Sequence, residues 1–238
     1  VAITETQAGS FVDYGRTEYQ TAVVDVIQAA LHAAWYRKWL VHRRLRPEEY
    51  GGRIHKARNS EDGDFDLSDR VPDIITESDA VKLVESATDS GSALLPQAYP
   101  EGSPTHPSYP AGHATTAGAC TTVLKAFFDT SVRFGEGFQP DLPLDLLDKS
   151  DEETLTGVVQ PVSGAEEKLE IINKHPTIED ELNKLATNMS IGRNWAGIHY
   201  RTDATAGYRL GERIALTYLD DRLAARNGDI SLTVPTFF

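Results

Sequence analysis

Two histidines seven positions apart, His106 and His113, bracket the segment His106-Pro107-Ser108-Tyr109-Pro110-Ala111-Gly112-His113. Two prolines and a glycine restrict its backbone, and it runs into Ala114-Thr115-Thr116 and a small-residue helix. The first turn of such a helix offers unpaired N–H groups that favour an anion. An oxyanion held there would lie beside an imidazole able to move protons. A cap or a packed core histidine gives the same local pattern, so two further clusters carry the argument.

The first is Arg37-Lys38-Trp39-Leu40-Val41-His42-Arg43-Arg44-Leu45-Arg46-Pro47. Read as one continuous helix, the eight positions from Lys38 to Arg46 leave the two within roughly 80° of one another, so both reach one pocket. The ordinary alternative is a basic helix end that complements the C-terminal dipole. The second cluster runs from Asn188 through Arg193, Gly197 and His199 to Asp203. A continuous helix would point Arg193 and His199 about 240° apart. Gly197 allows the helix to end and the chain to double back, so that the two can converge. Asp203 can accept a hydrogen bond from one ring nitrogen of His199 and so fix which nitrogen meets a ligand. Lys38, Arg46, Arg193, backbone N–H groups near Gly112 and two histidines make an inventory for gripping a tetrahedral or trigonal-bipyramidal oxyanion. One imidazole would bond the central atom and the other move protons.

In order and spacing the three clusters resemble the signature shared by vanadium-dependent haloperoxidases and type-2 phosphatidic-acid phosphatases: Lys…Arg-Pro, Pro-Ser-Gly-His, and Ser-Arg followed by His and Asp. Here they read Lys38…Arg46-Pro47, Pro110-Ala111-Gly112-His113 and Gly192-Arg193…His199…Asp203. The context of His106 and the seven residues between Lys38 and Arg46 are similar to the red-algal and cyanobacterial bromoperoxidase branch. The resemblance implies a prosthetic vanadate bonded by His199 and hydrogen-bonded by Lys38, Arg46, Arg193 and the Gly112 amide, with phosphate able to occupy the same pocket. It makes His113 the acid–base partner, His106 the second histidine of the bromoperoxidase branch, and Arg37 a residue near the halide. Hydrogen peroxide, bromide or another halide, and a small organic acceptor would be the substrates, and a hypohalous species the halogenating product.

Two departures from the pattern matter. Ala111 stands where the family has Ser, which removes a hydroxyl donor worth about 0.5–1.5 kcal/mol net, or ~1.5–3 toward a charged partner. Weaker vanadate retention is the expectation. Gly192 replaces the Ser before Arg193, which the algal branch tolerates. The family also carries a long helical N-terminal half ahead of the first motif. The resemblance therefore implies that residues 1–238 are a single catalytic domain, the C-terminal portion of a larger protein, with a companion N-terminal polypeptide and homo-oligomeric packing. Two competing readings share the same pocket: an acid phosphatase or phosphotransferase with His199 as nucleophile, and a non-catalytic oxyanion-binding homologue.

The elements that must position these groups read as mostly helical. Apolar residues recur at helical spacing from Thr17 to about Arg46, where Pro47 is expected to stop the helix. Residues 48–75 read as a polar loop, and Asp62-Gly63-Asp64-Phe65-Asp66 is a poor calcium loop without the required Gly and bidentate Glu. Thr76-Glu77-Ser78-Asp79 suggests a capping box opening a short helix to about Ser86. Helices are expected at about 110–128, 165–174, 177–194 and 203–225, with Cys120 a small core residue and a loop insertion with room for a hairpin over 129–164. The fold class is all-α, a helical bundle with long loops. With 23 Lys+Arg against 36 Asp+Glu, a net charge of −13 argues against a general nucleic-acid binder. No apolar run suits a membrane span, so a soluble protein of unassigned compartment is expected.

Overall fold

The computed structural model describes residues 15–59, 71–88, 91–133, 158–162, 165–173, 176–225 and 232–237. Its helices are α1 (Arg16–Tyr36), α2 (Pro47–Asn59), α3 (Asp73–Thr76), α4 (Asp79–Ala87), α5 (Gly112–Phe127), α6 (Ile178–Trp195) and α7 (Arg201–Ala224). A π-helical turn, Arg37–His42, continues α1, and strands β1 (Val158–Val162) and β2 (Ala165–Asn173) pair antiparallel. Among the described residues no helix is long and apolar enough to cross a membrane.

Helix α5 is the hub, packed against α7, α1 and α6. The packing is close because the facing residues are small. In α1, Ala22, Val26, Ala30 and Ala34 recur every four residues and are fully buried, a spacing that aligns them on one face. The first three form a core cluster with Ala119 and Val123 of α5 and Ala215 of α7. Gly211 of α7 is obligatory at this crossing, since a Cβ there would run into the Thr115 carbonyl of α5.

The helical bundle agrees with the all-α expectation, and a hairpin is present, but several local expectations are corrected. Pro47 does not close the helix before it, which has already ended at His42, but opens α2; its missing N–H and fixed φ suit the first helical position. The stretch read as a polar loop thus contains α2 and α3, while the acidic tract at 60–66 lies outside the described residues. The helix expected at 165–174 is β2. Its Glu- and Lys-rich composition favours a helix locally, but pairing with β1 decides. The cap of α4 is Ser78, whose side chain accepts from the Val81 N–H, not Thr76.

Candidate functional site

Helix α1 does not run unbroken to Arg46. After the π-helical turn, Arg43 takes a left-handed conformation (φ 47°), its N–H bonded to the Lys38 carbonyl at 2.9 Å. Residues 44–46 are non-helical, and the Pro47 ring disfavours helical geometry at Arg46. Arg44 and Arg46 then both reach the 198–203 segment. Arg46 Nη1 donates to the Ile198 carbonyl at 3.1 Å and lies 2.9 Å from His199 Nε2. Arg44 Nη1 donates to Asp203 Oδ1 at 3.0 Å and to Thr202 Oγ1 at 2.7 Å. The single-helix reason for bringing Lys38 to Arg46 is therefore replaced; their convergence stands.

Gly197 (φ +76°) ends α6 and turns the chain back, as its position predicts. His199 is buried, and its Nδ1 lies 3.0 Å from Asp203 Oδ2, which also accepts the Tyr200 N–H at 3.1 Å. Asp203 is fully buried. Burial pushes its carboxyl up, but the bonds from His199 and the Tyr200 N–H outweigh this and hold it below the usual carboxylate value. An ionised Asp203 keeps the proton on Nδ1 and leaves the Nε2 lone pair facing Arg46.

The opening segment folds back on both clusters. Lys38 Nζ donates to the carbonyls of Pro107 (2.6 Å) and Ser108 (3.0 Å), and Arg46 Nε donates to the His106 carbonyl at 2.9 Å. Arg46 Nη2 is 3.2 Å from His106 Nδ1. Ser108 pins the loop by donating its N–H to Arg44 and its hydroxyl to the Leu45 carbonyl. Ala111 caps α5 without a side-chain bond, so Gly112 and His113 occupy its first turn.

These residues enclose one cavity of about 510 Å³, lined by Lys38, Arg46, His106, Gly112, His113, Arg193 and His199, with no Asp or Glu among the described residues of its wall. Its other half is apolar, built from Ile27, Leu31 and Trp35 of α1, Leu124 of α5 and Leu185 of α6. Burial and Arg46 lower Lys38 to about 7, and burial and Arg193 lower Arg46 to about 10. Burial and neighbouring cations likewise keep His106 and His113 below the usual histidine value and His199 at about 4. Each shift reports the same thing: positive charge crowded into a poorly hydrated hollow, a field that an anion would relieve. Arg193 Nε is buried and lacks a hydrogen-bond partner among the described residues. Such an orphaned donor carries a desolvation cost that an oxyanion's lone pair would offset.

Three expected site residues stand elsewhere. Asp203 lies behind His199, as expected of an orienting group. Ala111 is fully buried beside Gly112 and contributes nothing to the cavity wall. Arg37 is not drawn into the hollow; it lines a second cavity with His42, Tyr109, Arg201, Arg209 and Arg213. The reason is local: Lys38 and Arg37 are consecutive in the π-helical turn and project to different sides, Lys38 inward and fully buried. Cys120 is a cavity-wall residue rather than a core one. Arg44 gains a role that its place among neighbouring cations did not reveal; a buried Asp203 demanding several donors was the signal for it.

Ala111→Ser is expected to raise stability by about 0.5–2 kcal/mol, because a serine N-cap satisfies an N–H of the first turn that alanine leaves open. A capping hydroxyl still has its proton to donate to an oxyanion at the start of α5, so anion binding should tighten as well. Thermal unfolding with and without phosphate separates the two effects.

The family model described as "VCPO second helical-bundle domain" matches residues 88–226. A vanadium-dependent bromoperoxidase of Corallina officinalis is 36% identical over 239 aligned residues, covering 95% of this chain and 37% of that protein. One from Ascophyllum nodosum is 38% identical over 222, covering 91% and 36%. The solved structure of a second, homohexameric vanadate-dependent bromoperoxidase from Ascophyllum nodosum superposes with a TM-score of 0.63 at 33% identity, covering 94% of this chain and 38% of that one. The chain thus spans about 37% of the length of the curated relatives it matches. Matched over the second helical bundle, and with residues of its three motifs lining one cavity, the chain belongs to the vanadium haloperoxidase family.

Proposed function

We propose that this chain carries the vanadate-binding centre of a bromoperoxidase that uses hydrogen peroxide to oxidise bromide to a hypohalous species, which halogenates a small organic acceptor. The supporting observation is the cavity on which Lys38, Arg46, Arg193, His106, His113, His199 and Gly112 meet, with no carboxylate in its wall and no partner for Arg193 Nε among the described residues. Bound vanadate would supply a Lewis-acidic centre that makes peroxide susceptible to attack by halide. His199 offers Nε2 as the bonding atom, its ring held by Asp203. Lys38, Arg46 and Arg193 neutralise the anion, and Arg46 must exchange its bond to His199 Nε2 for one to an anion oxygen. His113, in the first turn of α5 and held neutral by burial and the Arg193 charge, can accept a proton from an incoming peroxide. His106 lies on the same wall and is positioned by Arg46.

Phosphate, of the same shape and charge, is expected to compete for this cavity. Assembly is part of the proposal: Trp39, Leu40 and Val41, in the π-helical turn after α1, are about half exposed or more. Such an apolar strip favours cover by further polypeptide or by another copy, and the hexameric relative supports copies. A bromide, peroxide and vanadate assay set beside a phosphate-ester assay tests the reading. Vanadate-dependent bromination is expected; ester hydrolysis without bromination would overturn it in favour of a phosphatase, and neither activity would favour an oxyanion-binding homologue.

Proton uptake on anion binding follows from Lys38. Its folded value of about 7 lies below the ordinary 10.5, so the anion-free protein binds fewer protons here than the unfolded chain and gains stability as pH rises through that interval. An anion favours the charged amine and raises its value. Between pH 7 and 10.5, phosphate binding should therefore draw in a proton that Lys38→Met does not, whereas below 7 this group contributes none. Calorimetry in buffers of different ionisation enthalpy measures the difference.

A further inference from the structure

The 238 residues include one methionine and one cysteine, and both line the cavity that collects the cations and histidines. Met189 lies on α6 one turn before Arg193 and one turn after Leu185, and all three face that cavity. Residues four apart on a helix have Cβ atoms about 5–6 Å apart. The thioether therefore stands next to a guanidinium of the anion site, at the border between its polar and apolar halves. It is 43% exposed, open to small solutes. Cys120 is less available, since burial pushes its thiol up to about 11 and leaves it protonated and weakly nucleophilic at neutral pH. A thioether has no proton to lose and keeps its lone pairs at any pH.

We propose that Met189 is a modification site, oxidised to methionine sulfoxide by the hypohalous acid produced in this cavity. The proposal rests on the bromoperoxidase reading above. A sulfur lone pair attacks bromine of hypobromous acid, forming an S–Br bond and expelling hydroxide. Water then adds to sulfur, bromide leaves, and two protons are lost, one of them neutralising the hydroxide. Thioether and hypobromous acid thus give sulfoxide, bromide and one proton; sulfur is oxidised by two electrons and bromine reduced from +1 to −1. The product places a polar S–O group beside Leu185 on the apolar wall, and sulfoxide reductases can reverse it.

The test uses purified protein with vanadate, bromide and limiting peroxide, an excess of brominatable acceptor in bulk solution, and peptide mass spectrometry. The expected result is bromination of the acceptor together with gain of one oxygen on most copies of the Met189 peptide, despite the bulk acceptor. Peroxide alone, and the His199→Ala protein under full turnover conditions, should leave that peptide largely unmodified. Bromination with Met189 unmodified, or equal oxidation by peroxide alone, would overturn the proposal and leave the bromoperoxidase reading standing. Absence of bromination would instead sink the bromoperoxidase reading, and this proposal with it.

Discussion

Replacing His199 by alanine is expected to reduce vanadate-dependent bromination to the rate of the protein-free mixture while leaving the fold in place. Among the described residues, His199 Nε2 is the one ring nitrogen in the cavity whose opposite nitrogen is held by a buried carboxylate. That support fixes the tautomer and strengthens the ring as a ligand; losing only such a supporting partner typically costs 10–100-fold in affinity or activity. Losing the ligand should cost vanadate binding more than the upper end of that range, roughly a hundredfold. The fold survives because Asp203 keeps its bonds from the Tyr200 N–H and Arg44. Circular dichroism and vanadate titration, run beside the assay, separate loss of the ligand from loss of structure. Retained bromination would remove His199 from the centre.

Arg46→Lys comes next in size, although it preserves charge. The guanidinium places Nε on the His106 carbonyl, Nη1 between the Ile198 carbonyl and His199, and Nη2 on His106. It ties the first cluster to both others. A lysine ammonium cannot span three directions from one rigid plane, so the substitution is not conservative here. The loss of a charged hydrogen bond, about 1.5–3 kcal/mol, corresponds to about 10–150-fold in binding. Phosphate affinity should fall by that factor, and the unfolding free energy by a similar energy. An unchanged phosphate affinity would mean that Arg46 is structural only.

How much of this was legible in the sequence differs residue by residue. His199, Asp203 and Arg193 were readable because their spacing brackets Gly197, and a glycine there admits the reversal that joins them. His106 and His113 were readable because prolines and a helix start confine them. Lys38 and Arg46 were identified for a reason that fails: the path between them runs through a π-helical turn and a left-handed Arg43, which helical periodicity cannot anticipate. Pro47 reads as a helix stop because a proline suits the position after a helix as well as the first position of one, but the preceding turn ends at His42 and Pro47 only starts α2. Arg44 was hidden among neighbouring cations, since only the burial of Asp203 distinguishes it. The apolar half of the cavity draws Ile27, Leu31 and Trp35 from α1 and one leucine each from α5 and α6, all indistinguishable in sequence from ordinary core positions.

The most direct test is anomalous diffraction from crystals of the vanadate-loaded protein. A single vanadium peak within bonding distance of His199 Nε2, and within hydrogen-bond reach of Lys38, Arg46 and Arg193, is the predicted result. A peak away from His199, for instance among Arg37, Arg201 and Arg213 in the second cavity, would contradict it.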